Sequence, residues 1–185
     1  MISVEAHLTA ILDAVPVLER ETIPVDAAVG RTLREPVLAP VDMPAFDNSA
    51  MDGFAVRFAE VAAASAAHPF TVRVVADLPA GTATNPPIGV NEAARIMTGA
   101  PLPTDADTVV PFEATVGGLA DSLRTAQVVQ APRHLGIHIR RRGEDCRAGA
   151  ELVPAGAELG PLQLSAIAAS NVAEVTVSRR PRVAV

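Results

Sequence analysis

The sequence has no tryptophan, no tyrosine and no lysine, and it has a single cysteine, Cys146. Because aromatic residues make up only 3% of the chain, the core must be built from aliphatic side chains. One cysteine excludes an internal disulfide and a zinc site made of several cysteines, so we expect a reducing compartment. The lack of lysine excludes a lysine base, a Schiff base and a complete GxxxxGK[ST] phosphate loop.

The sequence also lacks a net positive charge and long apolar runs, and its N-terminal segment does not have the pattern of a secretory leader. The net charge of −6 argues against nucleic acid as a partner, since binding to phosphates needs a basic face. No apolar run approaches the roughly 20 residues that span a bilayer. The N-terminal segment MISVEAHLTAILDAVPV has no basic region ahead of its apolar residues. We therefore expect a soluble, cytoplasmic protein with neither nucleic acid nor membrane as a partner.

What is present indicates a strand-rich α+β fold. The 16 prolines and 12 glycines imply many turns between short elements. No βαβ alternation runs through residues 20–150, which argues against a doubly wound sheet. Strands are predicted at residues 21–25, 33–41, 71–76, 93–97, 108–113, 125–130, 150–153 and 172–177.

Two helices are predicted, one near each end of the chain. Apolar residues recur at helical spacing from Val4 to Val15, behind Ser3 as a capping residue. This pattern predicts an amphipathic helix that packs against a core. The second helix is predicted to start at Gly160-Pro161 and to end near Ser170, with Asn171 as its C-terminal cap.

Three polar loops are candidates for chemistry. In the first, residues 47–53, Asp47 and Asp52 are either turn-forming residues, which composition alone favours, or oxygen ligands for Mg²⁺. The second, residues 98–101, is either a turn, which is favoured, or a place where a hydroxyl followed by glycine lets the backbone approach a ligand closely. The third, residues 140–145, is either a hairpin with paired charges or an arginine site for anions. The histidines are interpreted as structural or exposed: His7, His68, His134 and His138.

Together these loops resemble one family. The segments PAFDNSAMDGFAVR (44–57), RIMTGAPLPTDADTVVPFE (95–113) and RRRGED (140–145) are similar to motifs of the molybdopterin molybdenumtransferases, the MoeA-type proteins, and of the related E domain of gephyrin. The likeness extends over essentially the whole chain. Phe54 stands where many members have tyrosine, and Cys146 where an aliphatic residue is more usual.

The resemblance implies a domain organisation. Residues 1–38 and 140–178 would form an elongated β/α dimerisation domain with the N-terminal helix. Residues 39–139 would form an inserted β-rich domain that carries the active-site motifs. Residues 179–185 would begin an α/β molybdopterin-binding domain, and the apolar ending VAV likewise leads us to expect that the protein continues.

The resemblance also implies an activity. The family inserts molybdate into adenylylated molybdopterin, releases AMP and uses Mg²⁺ or another divalent ion, as a homodimer. The molybdopterin adenylyltransferase is a candidate partner. By position, Asp52, Thr98 and Asp145 match residues implicated in activity. Asp52 is also the candidate metal ligand, and Thr98 could bond a phosphate or molybdate oxygen. The anion-binding candidates are Arg140, Arg141, Arg142 and Ser49.

Three hypotheses follow for the chain as given. In the first, it is the N-terminal part of such a transferase, and it is inactive alone because the remaining catalytic groups lie beyond Val185. In the second, it is a catalytically inactive dimerisation or scaffold fragment whose last helix, with Leu162, Leu164 and Ile167, supplies an apolar dimer surface. In the third, it is a stand-alone β-domain that binds a small anion or a metal.

Overall fold

The structure is a computed structural model that describes residues 2–119 and 123–184. The helices are α1 (Val4–Ala14), α2 (Phe58–Val61) and α3 (Pro161–Ala169), and short 3-10 helices lie at Val25–Ala27 and Phe112–Ala114. The strands are β1 (Arg20–Pro24), β2 (Val37–Leu38), β3 (Asn48–Ser49), β4 (Gly53–Val56), β5 (Phe70–Leu78), β6 (Glu92–Ile96), β7 (Thr108–Pro111), β8 (Thr125–Val128), β9 (Ile139–Arg140), β10 (Glu151–Val153) and β11 (Glu174–Ser178). The predicted strand-rich α+β class is confirmed.

The chain divides into two compact units. Residues up to 41 and from 148 onward form what we call the terminal unit, and Asp42–Arg147 form the central unit. The units divide at 41/42 and at 147/148. These divisions lie three and eight residues after the domain boundaries that the resemblance implied, 38/39 and 139/140. Residues 140–147 belong to the central unit because β9 pairs with β3 and the arginines that follow it bond to Asp42 and Asp47.

Helix α1 forms as predicted but does not pack as predicted. Ser3 Oγ accepts a hydrogen bond from the Ala6 amide at 3.2 Å and so caps the first turn. No residue of the helix is buried. Its apolar face is instead exposed, with Leu8 at 53% and Leu12 at 62%. The expected packing against a core is wrong for the part of the chain that the structure describes.

The core of the terminal unit lies between short antiparallel pairs and helix α3. Strand β1 pairs with β11, and β2 pairs with β10. Helix α3 begins with Pro161 at its first position, as predicted, and positive φ at Asn171 (64°) ends it. Ile167 is fully buried in this core, so its predicted place on an apolar dimer surface is wrong, whereas Leu162 is 82% exposed. The buried core residues are Ala28, Leu33, Val37, Val153, Leu159, Ile167, Val175 and Val177.

The central unit is built on a five-stranded sheet in the order β7-β4-β6-β5-β8. Strands β5 and β6 are parallel, and the other neighbours are antiparallel. Strand β4 was not predicted, since its four residues follow directly on the polar loop; all four are buried. Phe54 on β4 meets Phe112 edge to face, with ring centroids 5.3 Å apart. Among the described residues, no helix has the length and apolar character needed to cross a membrane.

Candidate active site

Backbone hydrogen bonds join the first loop to the second. Ser49 bonds to two residues of the second loop: its amide donates to the Ala100 carbonyl (3.1 Å), and its carbonyl accepts from the Gly99 amide (2.8 Å). The Leu102 amide donates to the Asp47 carbonyl at 3.0 Å. These bonds place Asp52 and Thr98, 46 residues apart in sequence, within contact of each other.

A second set of bonds joins the first loop to the third. Strand β3 pairs with β9, with Asn48 opposite Arg140. The Ala50 amide donates to the His138 carbonyl at 2.9 Å, and His138 holds a positive φ of 61° to present it. Met43 and Cys146 form an isolated antiparallel β-bridge. The structure thus brings all three predicted loops together within the central unit.

Asp52 is held by Thr98 through one oxygen. Its Oδ1 accepts from the Thr98 amide at 2.6 Å and from the Thr98 hydroxyl at 2.7 Å. These two bonds, the amide first, hold the pKa of Asp52 below its ordinary value. Oδ2 has no partner among the residues that the structure describes, and the side chain is exposed. Asp52 therefore presents an ionised carboxylate with one oxygen available to a ligand.

Thr98 uses its hydroxyl hydrogen on Asp52. In this arrangement the hydroxyl oxygen can still accept a hydrogen bond, but it has no hydrogen to donate to a phosphate or molybdate oxygen. The predicted contact between Thr98 and an anion stays a prediction, and it requires the bond to Asp52 to open.

Ser49 is fully buried. Its hydroxyl donates to the Met51 carbonyl at 2.5 Å and accepts from the Met51 amide at 3.2 Å, so both functions serve the turn that leads to Asp52. This geometry favours a structural role for Ser49, and its predicted contact with an anion has no support here.

The three consecutive arginines all face carboxylates. Arg140 pairs with Asp145, which raises the pKa of the Arg140 guanidinium. Arg141 Nη1 lies 2.6 Å from Asp47 Oδ2. Arg142 Nε lies 2.6 Å from Asp42 Oδ2. The hairpin interpretation anticipated paired charges, whereas Asp42 as a partner carried no signal in the sequence.

Two further features of the site were missed by sequence reasoning. Asn48 is 5% exposed, and its Oδ1 has no hydrogen-bond partner among the described residues, which leaves a buried acceptor where the three loops meet. A cleft of about 310 Å³ lies beside the end of β7. It is lined by Val110, Pro111, Glu113, Ala114, Gln130, Ala131, Pro132, Arg133, Ile137 and His138.

The side chains of the site limit the kind of metal ion that it could bind. Across residues 2–119 and 123–184, no three His, Cys, Asp or Glu side chains are grouped as metal ligands. Mg²⁺ is commonly bound through one or two carboxylates together with substrate phosphates and water. The free oxygen of Asp52 fits such a shared site, and it does not fit a cation cage made of protein groups alone.

Comparison with known proteins agrees with the motifs. The chain is 40% identical over 185 residues to molybdopterin molybdenumtransferase 2 of Mycobacterium tuberculosis (strain ATCC 25618 / H37Rv), covering all of this chain and 44% of that protein. It is 37% identical over 189 residues to the molybdopterin molybdenumtransferase of Nostoc sp. (strain PCC 7120 / SAG 25.82 / UTEX 2576), covering 42% of it. A crystal structure of the molybdopterin biosynthesis moeA protein from Pyrococcus horikoshii OT3 superposes with a TM-score of 0.85 at 27% identity, covering 98% of this chain and 47% of that one.

The chain therefore spans less than half the length of the relatives it matches. Residues 2–170 match the family described as MoeA N-terminal region (domain I and II). With the three motifs in order and gathered at one site, the chain belongs to this family of MoeA N-terminal regions.

Proposed function

We propose that this chain is the N-terminal part of a molybdopterin molybdenumtransferase. In that reaction, molybdate is inserted into adenylylated molybdopterin, the pyrophosphate bond breaks and AMP is released, in molybdenum cofactor biosynthesis. The observation that carries the proposal is the carboxylate of Asp52, fixed and kept ionised by Thr98 with one oxygen open, at the junction of the three family motifs. The names of the relatives support the same activity.

The chemistry of the residues suits anionic substrates. Asp52 would hold Mg²⁺ (or another divalent ion) through its open oxygen, and a bound divalent ion neutralises negative charge on phosphate and molybdate oxygens. Asp145 and the arginines 140–142 belong to the same surface in this proposal. Because each arginine has a carboxylate partner, an anion would have to share or replace that partner.

The rest of the proposal concerns the whole protein. We propose that the terminal unit serves dimerisation, that the active protein is a cytoplasmic homodimer, and that the molybdopterin adenylyltransferase is a partner that delivers substrate. The chain alone would be inactive. It spans only 44% of its M. tuberculosis relative, and the other catalytic groups would come from the part of the transferase that this chain does not span.

The test is Asp52→Ala in a protein that contains this chain together with the remainder of the transferase. We expect the variant to fold and to lose AMP release and cofactor formation by at least about 100-fold, the scale set by losing a metal or transition-state contact. Asp77→Ala is the control, since Asp77 is an aspartate of the same unit whose side chain pairs with Arg95 on the neighbouring strand. Cofactor synthesis at the unmutated rate by Asp52→Ala would contradict the role of Asp52.

A second candidate function is that of a non-catalytic dimerisation module. The exposed apolar faces favour it: Leu8 and Leu12 on α1 are 53% and 62% exposed, and Leu162 on α3 is 82% exposed. Sedimentation of the 185-residue chain separates the two ideas. A monomer at the highest accessible concentration would contradict dimerisation by this chain alone.

A further inference from the structure

Asp47 reaches across from the first loop and bonds to the third loop with both carboxylate oxygens. Oδ2 accepts from Arg141 Nη1 at 2.6 Å, and Oδ1 accepts from the backbone amide of Arg142 at 2.8 Å. The two partners are 94 and 95 residues away in sequence. One side chain therefore connects two loops that carry predicted site residues.

Hydrogen bonds from its backbone amides hold the turn that contains Asp145 in place. From residue 141 to residue 146, each backbone N–H has an acceptor. Most of these acceptors are backbone carbonyls, such as Pro44 for the Gly143 amide (2.9 Å) and Met43 for the Asp145 amide (3.0 Å). Within residues 141–146, the Arg142 amide is the one whose acceptor is a side chain of the first loop. Asp47 thus accepts one of the six amide hydrogen bonds that hold the turn in place.

Both oxygens of Asp47 already accept a hydrogen bond from the third loop. The amide of Arg142 is the main cause that keeps the pKa of Asp47 below its ordinary value, and the Arg141 guanidinium adds to it against the opposing effect of partial burial. Asp47 is therefore charged at neutral pH and committed on both oxygens. It contrasts with Asp52, whose two bonds fall on one oxygen.

We propose that Asp47 is a positioning residue, which fixes Arg141 and the backbone of the RRRGED turn so that Arg141, Arg142 and Asp145 face the substrate that Asp52 faces. It does not touch the substrate. This inference rests on the proposed transferase function for its catalytic consequence, and it rests on the described contacts alone for its structural consequence.

The structural consequence is measured by amide hydrogen exchange in the 185-residue chain. In Asp47→Ala, the Arg142 amide should exchange at least about tenfold faster, since its acceptor is gone, while the Thr98 amide, which donates to Asp52, should keep its rate. Asp47→Asn retains an amide oxygen that can accept from Arg142 but loses the charge that pairs with Arg141, so its effect should be smaller. Unchanged exchange at Arg142 in Asp47→Ala would overturn the proposal.

The matched control is Asp77→Ala. Asp77 receives two bonds from Arg95, at 2.7 and 2.8 Å, and its side chain is 42% exposed against 36% for Asp47. The substitution Asp77→Ala therefore removes a comparable ion pair from the same unit. Exchange at Arg142 should stay as in the unmutated chain. Equal acceleration in both variants would mean that any lost ion pair loosens the unit, and would overturn a specific role for Asp47.

The catalytic consequence is measured in a protein that also contains the remainder of the transferase. Asp47→Ala should raise the KM for the anionic substrate by about tenfold, with a smaller change in kcat, and Asp47→Asn should restore part of the loss. A merely structural role would lower the active fraction and the melting temperature with KM unchanged, and that result would overturn the proposal. If the unmutated protein shows no transferase activity, the proposed function fails, and the exchange rate of the Arg142 amide alone decides the role of Asp47.

Discussion

The two aspartates of the first loop are five residues apart, and they are used in different ways. Asp47 accepts hydrogen bonds on both oxygens from the third loop. Asp52 accepts two bonds on one oxygen from the second loop and leaves the other oxygen open. In each case a backbone amide is the main cause of a lowered pKa. A lowered pKa alone therefore does not distinguish the two carboxylates; the number of oxygens that accept hydrogen bonds does.

The anchoring of the two residues differs as well. Asp52 directly precedes Gly53, the first residue of β4, and β4 lies between β7 and β6 in the five-stranded sheet. The carbonyl of Asp52 also accepts from the Phe112 amide at 3.1 Å. Asp47 instead precedes β3, which has two residues and one partner strand. The five-stranded sheet thus holds Asp52 in place, whereas Asp47 itself holds the third loop in place.

The largest expected effect comes from breaking the anchor of Asp52. A Cβ at Gly53 would lie 2.1 Å from the Val110 carbonyl oxygen and 2.8 Å from Pro111 Cα, so Gly53→Ala must push β4 away from β7. We expect the free energy of unfolding to fall by about 3 kcal/mol, the upper end of the usual cost of overpacking. Urea unfolding followed by circular dichroism measures it, since the chain has no tryptophan.

Gly81→Ala is the control for that variant. Gly81 has a φ of 84° but no atom within 4 Å of a Cβ, so alanine there meets strain and no clash. Its cost should be about 1 kcal/mol. A loss for Gly53→Ala no greater than that for Gly81→Ala would show that the contact between β4 and β7 does not hold Asp52 in place.

The next effect concerns the charge of Asp47. Asp47→Asn should lower the free energy of unfolding by about 1 kcal/mol at pH 7, at the low end for bonds to a charged group because the side chain is about one third exposed. Because the folded-state pKa of Asp47 is lowered, its stabilisation is complete above the unfolded value of about 3.9 and is lost as pH falls through the folded value. The gap between the two proteins should therefore close in acid.

Unfolding curves at a series of pH values from 7 down to 3 test this expectation. Asp77→Asn should show the same kind of closing gap, since the pKa of Asp77 is also lowered, chiefly by Arg95. A gap for Asp47→Asn that stays constant with pH would mean that the charge of Asp47 does not contribute.

A smaller effect would sharpen the account of Asp52. Thr98→Val removes the hydroxyl that donates to Oδ1 at 2.7 Å and keeps the amide that donates at 2.6 Å. The amide is the main cause of the lowered pKa, so the pKa of Asp52 should rise in this variant but stay below its ordinary value. Titration of the Asp52 carboxyl carbon by NMR measures it, with Thr98→Ser as the control. An unchanged pKa in Thr98→Val would contradict the hydroxyl bond.

The sequence predicted those elements whose signals are local. Ser3 and the helical spacing after it located α1, and Gly160-Pro161 located the start of α3. What covers an apolar face depends on contacts distant in sequence, so the packing of α1 could not be read from its own residues. Strand β4 was missed because its four residues follow directly on a polar loop, with no turn signal between them; strands of the same length were predicted elsewhere.

In the candidate site, too, some features were predictable from the sequence and others depend on contacts distant in sequence. That three loops act together was predicted from the motifs they share with one family, and the structure brings them together in the central unit. Which oxygen of which aspartate is committed was not predictable, since it depends on loops 46 and 94 residues away. The burial of Ser49 was not predictable either, because the sequence shows a hydroxyl and not the direction in which it points.

The smallest expected effect separates the two aspartates by salt. Asp47 is stabilised partly by the charged Arg141, whereas both donors to Asp52 come from the uncharged Thr98. Between 0.1 M and 1 M salt the screening length falls from about 10 Å to about 3 Å. The destabilisation by Asp47→Ala should therefore shrink by a few tenths of a kcal/mol, about the size of an exposed ion pair, and that by Asp52→Ala should shrink less. If both respond equally in parallel urea titrations, the pair with Arg141 contributes nothing, and the backbone bond to Arg142 carries the whole effect of Asp47.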